Sequence, residues 1–141
     1  MDEYILPPRS GIVVTHYLTV ADVDRASAFY VRVFAAEVQQ RGNPTVLKLA
    51  NAWLILNIGG GPTDDKPGIS LETPKEDGMA SAFLNIRVAD IAHYHELWQR
   101  RGAKFITEPR DHGHEIRCYL RDLDGYLIEV GQSVVQPDEA Q

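Results

Sequence analysis

The sequence predicts an α+β fold built from two β-α-β-β-β modules. The first observation is an internal repeat: residues 18–23 (LTVADV) recur as residues 86–91 (IRVADI), an offset of 68 residues. The second is that, in each copy, an aspartate joins a strand-like segment to an amphipathic helical segment. The third is a run of three short strand candidates after each helix. Two like modules joined in series lead us to expect a site in the cleft between them.

The first module is predicted over residues 11–58. Residues 11–21 alternate between apolar and polar side chains and are therefore predicted to form a strand. Asp22 is a suitable N-cap for the helix that follows, because its carboxylate can accept hydrogen bonds from the amides of the first turn. We expect this helix to end near Ala35. Three strands are then predicted at residues 37–41, 45–50 and 52–58.

The second module, residues 79–133, repeats this plan after a turn-rich connection at residues 59–78. A strand is predicted at residues 80–89, and a helix runs from its cap at Asp90 to Gly102. The further strands are predicted at residues 104–107, 114–121 and 126–131. The two modules together make one domain over residues 11–133.

Composition excludes several classes of partner. The formal net charge of −6 argues against nucleic acid, because phosphate binding requires a basic surface. A single cysteine, Cys118, rules out an intrachain disulfide and a thiolate metal cluster. We find no signal peptide and no apolar run near the ~20 residues of a membrane helix, so we expect a cytoplasmic protein with no membrane partner.

Several of these motifs resemble the vicinal oxygen chelate superfamily. They are the Val20-x-Asp22 opening with Phe29-Tyr30, its second copy, and the closing run RDLDGYLIEV at residues 121–130. The superfamily includes glyoxalase I, extradiol dioxygenases, methylmalonyl-CoA epimerase and the bleomycin and fosfomycin resistance proteins. The resemblance spans residues 11–132. It implies an open, curled mixed β-sheet that forms a cup for a small-molecule ligand, and commonly a homodimer.

Strand parity predicts which side chains line this cup. Aromatic walls with a few convergent polar groups are typical of a small-molecule site. The expected ligand-binding residues are Tyr17, Trp53, Asn57, Asn85, Arg87, Glu115, Arg117 and Tyr119, together with Glu129. Two interpretations stay open for the charged ones: they bind a ligand, or they pair with one another across strands as structural ion pairs.

A metal site is not expected from the pattern. Metal-using relatives carry a histidine on the first strand of each module, but Thr15 and Phe83 occupy those positions, and only Glu129 matches a ligand. If a divalent metal binds after all, we expect a non-standard set of ligands from Glu129, His16 and His114, with His112 as the alternative to His114. His93 and His95, on the second helix, are expected at the surface.

Three functional hypotheses follow from the resemblance. The first is a metal-free binding protein of the bleomycin-resistance type, or a metal-free enzyme in which Glu129 is the general base. The second is a metal-dependent lyase, isomerase or dioxygenase with non-standard ligands. The third is a non-catalytic module whose cup is vestigial and closed by Arg–Glu pairs.

Overall fold

The computed structural model describes residues 6–134, and it divides the chain into two units between Thr73 and Pro74. Each unit contains one α-helix and one open, four-stranded mixed sheet. The α+β fold with two β-α-β-β-β modules is therefore confirmed. Among residues 6–134, neither helix is long and apolar enough to cross a membrane.

The first unit contains its elements in the predicted β-α-β-β-β order. Its elements are β1 His16–Val20, α1 Val23–Phe34, β2 Glu37–Gln40, β3 Thr45–Leu49 and β4 Ala52–Ile58. In the sheet β1 runs parallel to β4, and the two other neighbouring pairs are antiparallel, in the order β1-β4-β3-β2.

Helix α1 is capped at both ends, and the cap at Asp22 is the one that the sequence predicts. The Asp22 carboxylate accepts hydrogen bonds from the backbone N–H groups of Asp24 and Arg25, at 3.0 and 3.1 Å. At the other end Ala35 adopts a left-handed conformation with φ of 59°, and its N–H donates to the carbonyl of Val31. The apolar stripe between the caps is buried, and it consists of Ala26, Phe29, Tyr30, Val33 and Phe34.

Strand register settles which residues of β4 share a face with β1. Leu54 and Leu56, which are fully buried, pair with His16 and Leu18, so this is the face covered by the helix. Tyr17 pairs with Ile55, which places Trp53, Ile55 and Asn57 together with Tyr17 on the opposite face.

The second unit has the same topology with a shorter edge strand. Its elements are β5 Leu84–Arg87, α2 Ile91–Arg100, β6 Arg110–Asp111, β7 Glu115–Arg121 and β8 Leu127–Ser133. Strand β5 runs parallel to β8, and the order is β5-β8-β7-β6. A tight turn joins β7 to β8, and in it the Asp122 carboxylate accepts hydrogen bonds from the N–H groups of Asp124 and Tyr126.

The first strand of each module is shorter than predicted. The predicted strand at residues 11–21 begins only at His16, because hydrogen-bonded partners exist only along Leu54–Ile58 of β4. Ile12 and Val14 lie outside that ladder and are 90% and 88% exposed. Likewise the strand predicted at 80–89 is limited to Leu84–Arg87, which pairs with β8.

Two further predictions for the second unit were wrong. Residues 104–107 form no strand; Phe105 makes a single bridge to Leu120, and the edge strand lies at Arg110–Asp111 instead. His95 is not at the surface but only 7% exposed, with its ring 4.4 Å from that of Phe105. Its spacing from Ile91 and Trp98 places it on the buried stripe of α2.

Gly59 provides a test of packing in the first unit. A Cβ at this position would overlap the carbonyl oxygen of Leu71 and lie 3.3 Å from Cγ2 of Thr19, whereas a Cβ on Gly60 would meet nothing within 4 Å. We expect Gly59→Ala to lower the free energy of unfolding by about 2 kcal/mol, because backbone must move. The matched control Gly60→Ala should change it by less than about 0.5 kcal/mol in urea denaturation. Equal effects would contradict this packing.

Candidate functional site

Two rows of side chains lie on one face of the second sheet. Glu129 of β8 pairs with Asn85 of β5 and with Tyr119 of β7, and these three residues form what we call the carboxylate row. Two residues further along β8, Gly131 pairs with Arg87 and Arg117, and these three form the arginine row. Register partners point to the same side of a sheet, so both rows share a face. The opposite face is apolar and buried, with Cys118, Leu120, Ile128 and Val130.

The carboxylate row is organised by Glu129, which is only 8% exposed. The Nδ2 amide of Asn85 donates to its Oε1, and the hydroxyl of Tyr119 donates to its Oε2. A carboxylate withdrawn from water requires such donors, because its charge would otherwise be poorly solvated. The hydrogen bond to Glu129, assisted by burial, raises the pKa of Tyr119 above its ordinary value.

The arginine row depends on the missing side chain of Gly131. A Cβ at this position would overlap Nη1 of Arg87 and lie 2.9 Å from its Cζ, so the guanidinium occupies the space above the central strand. A glycine inside a strand often marks such a close approach. Nη2 of Arg87 also donates to the hydroxyl of Ser133, at 3.1 Å.

Glu115 stands between the two arginines. Its Oε1 lies 3.8 Å from Nη1 of Arg87 and 3.9 Å from Nη1 of Arg117. The two arginine side chains are 44% and 37% exposed, and ion pairs with such exposure contribute little to stability. One carboxylate lies between two guanidinium groups, and Arg110 of β6 pairs with Arg117 on the same face, so this end of the face carries an excess of positive charge.

An aromatic pair flanks the carboxylate row. Phe83 contacts Tyr119 edge to face, with ring centroids 6.0 Å apart, and 41% of Phe83 is exposed. Phe83 is absent from the ligand-binding residues predicted from the sequence. Gly131 and Ser133 were also missed; for Gly131 the available signal was a glycine at the last position of the strand predicted at residues 126–131.

The remaining residues proposed from the sequence belong to the first unit. Tyr17, Trp53 and Asn57 lie on the sheet face opposite to α1, as described above. The ammonium of Lys48 lies 4.8 Å from the centre of the Trp53 ring, a cation–π contact. The Asn57 side chain accepts a hydrogen bond from the N–H of Ile58 at 3.0 Å. The second unit itself brings together Asn85, Arg87, Glu115, Arg117, Tyr119 and Glu129.

The comparison with protein-family models decides the family. The model of the Glyoxalase/Bleomycin resistance protein/Dioxygenase superfamily matches residues 12–130. The chain belongs to this superfamily. No curated protein matches the chain significantly.

Solved structures of the glyoxalase/bleomycin resistance protein/dioxygenase superfamily share this fold at low sequence identity. A member from Alicyclobacillus acidocaldarius is 19% identical with a TM-score of 0.69, and the alignment covers 95% of this chain and 100% of that one. A glyoxalase-related enzyme from Fulvimarina pelagi is 18% identical with a TM-score of 0.69, covering 89% and 91%. The fosfomycin resistance protein FosX from Listeria monocytogenes, complexed with Mn(II) and sulfate, is 17% identical with a TM-score of 0.64, covering 92% and 94%.

The donor set in the described residues does not fit the metal that many members of this superfamily use. Within residues 6–134 no group of three or more His, Cys, Asp and Glu side chains is arranged to hold an ion. Both oxygens of Glu129 already accept from Tyr119 and Asn85. His16 pairs with Leu54, on the face covered by α1, where burial lowers the pKa of its imidazole.

A small cavity of about 290 Å³ lies at the end of the second sheet, beside the β7–β8 turn. Arg121 contributes to it from β7, and its Nη1 donates to the carbonyl of Gly125 at 3.0 Å. The cavity walls combine cationic, anionic and backbone groups from Pro74, Lys75, Glu76, Gly78, Arg121 and Gly125.

The variant Gly131→Ala tests whether the Arg87 guanidinium lies over Gly131. Because the atoms in the way are the far end of a flexible side chain, we expect the guanidinium to move and the strand to stay. The free energy of unfolding should therefore change by less than about 1 kcal/mol. A crystal structure of the variant should show Arg87 displaced from β8. An unmoved Arg87 with a shifted β8, or a loss of stability of several kcal/mol, would contradict the interpretation.

Proposed function

We propose that this protein binds a small molecule on the polar face of its second unit and holds an anionic or carbonyl oxygen of that ligand at the arginine row, without a metal. The observation that carries the proposal is that two guanidinium groups, from β5 and β7, lie within 4 Å of the same oxygen of Glu115, and one of them lies over Gly131. Guanidinium groups are planar donors that match carboxylate and phosphate oxygens.

The surroundings of the arginine row support a binding role. Glu115 offsets the repulsion between the two guanidinium groups without neutralising both, and its contacts with them are longer than hydrogen bonds. The rings of Phe83 and Tyr119 provide apolar surface on the same face. N–H groups that can bind an anion, next to exposed aromatic rings, are typical of a small-molecule site.

Binding is favoured over base catalysis by the partners of Glu129. A general base must offer a lone pair to the proton that it removes. Each carboxylate oxygen of Glu129 already accepts a hydrogen bond from a neighbouring side chain, so a proton taken up by Glu129 has to share an oxygen with one of these donors. An enzyme with Glu129 as the base, of the lyase, isomerase or dioxygenase kind, is the second candidate. Its support is the burial of this carboxylate at the centre of the face.

The anion site is tested by the thermal stability of the protein in inorganic phosphate. A ligand at about ten times its Kd adds about 1.4 kcal/mol to the free energy of unfolding. We expect phosphate to raise the Tm of the wild type and of the control variant Arg25→Gln, which alters an exposed arginine of α1. Arg87→Gln should lose the increase. An equal increase in all three proteins would contradict the proposal.

Glu115 should weaken anion binding, because its carboxylate competes for the same two guanidinium groups. We therefore expect Glu115→Gln to bind phosphate several-fold more tightly than the wild type, as measured by isothermal titration calorimetry at low salt. The control Glu37→Gln, at the start of β2 in the first unit, should bind as the wild type does. Weaker binding by Glu115→Gln would contradict competition and show that Glu115 positions the arginines instead.

The absence of a metal requirement is tested with chelated protein. We expect EDTA treatment to leave both the Tm and the phosphate effect unchanged, and added Mn²⁺, Fe²⁺, Ni²⁺ or Zn²⁺ to produce no stabilisation. Stoichiometric metal in chelator-free preparations would instead support the metal-dependent alternative.

We also propose a homodimer, on the strength of the superfamily resemblance. Light scattering coupled to size exclusion should give twice the 15.8 kDa mass of the chain. A monomeric mass would overturn this part of the proposal and leave the anion site untouched.

A further inference from the structure

The two rows of the polar face differ in what they offer to a ligand. The guanidinium groups of Arg87 and Arg117 carry N–H donors and no acceptor. The carboxylate row, in contrast, offers mainly acceptors. The hydrogen of the Tyr119 hydroxyl is directed to Glu129, so its oxygen presents lone pairs only, and Glu129 is itself an acceptor.

Glu129 fixes this polarity. By accepting from Tyr119 and from Asn85, it orients both side chains and uses one hydrogen of each. Asn85 retains a second amide hydrogen and its Oδ1, so it is tolerant of either kind of partner. Tyr119 and Glu129 are selective, because a ligand atom that meets them must bring its own hydrogen or leave a buried acceptor without a partner.

The separation of the rows follows from strand geometry. Glu129 and Gly131 are two residues apart on β8, which corresponds to about 7 Å along a strand. A ligand that satisfies both rows must therefore span this distance on one side of the sheet.

We propose that the ligand of this site is bifunctional: an oxyanion that binds the arginine row, and an O–H or N–H donor about 7 Å away that binds Tyr119 and Glu129. This inference rests on the proposed function and narrows it to hydroxy acids, amino acids and related oxyanions in which both groups lie at opposite ends of a short spacer. Simple anions, and acids with the donor beside the carboxylate, satisfy one row only.

Two matched pairs of acids test the proposal on the full-length protein by calorimetry. The rigid pair is 4-hydroxybenzoate and 4-methoxybenzoate, which differ in the hydroxyl hydrogen and a methyl group. The flexible pair is 4-aminobutyrate and butyrate, which differ in the ammonium. We expect the donor-bearing member of at least one pair to bind about ten-fold more tightly, because a hydrogen bond to a charged acceptor is made. 2-Hydroxybenzoate, whose hydroxyl lies next to the carboxylate, should bind no more tightly than 4-methoxybenzoate.

The variant Glu129→Gln assigns the preference to the carboxylate row. It replaces an acceptor by a group that also donates, so the donor-bearing acid should lose its advantage to within about three-fold. Near-UV circular dichroism checks that the variant is folded, and the wild-type comparison of the pairs decides the proposal if it is not.

The outcomes separate this inference from the proposed function. If phosphate stabilises the protein through Arg87 but neither pair shows a preference, the bifunctional ligand is wrong and the anion site stands. If neither phosphate nor any of the acids binds, the proposed function fails and takes this inference with it.

Discussion

The second unit of this protein is organised around one buried carboxylate. Glu129 lies on the central strand β8, and its charge is stabilised by Asn85 from one neighbouring strand and Tyr119 from the other. Removing a carboxylate from water without such donors costs several kcal/mol. The pairing of β5, β8 and β7 therefore has to bring these three residues into one row, and the same register necessarily forms the arginine row beside it.

The arginine row depends on the absence of a side chain at Gly131. Gly131 interrupts the side chains of β8 just beyond Glu129, and the Arg87 guanidinium fills the space. The ordinary cost of a glycine in a strand is a loss of packing and of chain entropy. Here it places a cation over the middle of the sheet rather than at its edge, next to Arg117 and within reach of Glu115.

The sequence predicted the fold well because repeated local signals agree. Asp22 and Asp90 cap helices where expected, and strand parity correctly placed Asn85, Arg87, Tyr119 and Glu129 on one face. The alternation of apolar and polar side chains does not reveal which strands pair. The predicted first strand of each module was therefore too long, and residues 104–107 were wrongly predicted to form a strand. The hydrogen bonds of Glu129 were also missed. One of the two interpretations left open by the sequence paired Glu129 with an arginine, whereas neutral donors on adjacent strands satisfy it.

The titration of Tyr119 tests most directly whether Glu129 governs this face. With tyrosine labelled at the ring carbon that bears the hydroxyl, NMR can follow the titration of each tyrosine with pH. We predict that the pKa of Tyr119 in the wild type lies above the ordinary tyrosine value, and that it falls towards that value in Glu129→Gln. A Tyr119 pKa that is ordinary in the wild type and unchanged in the variant would contradict the hydrogen bond on which the whole account depends.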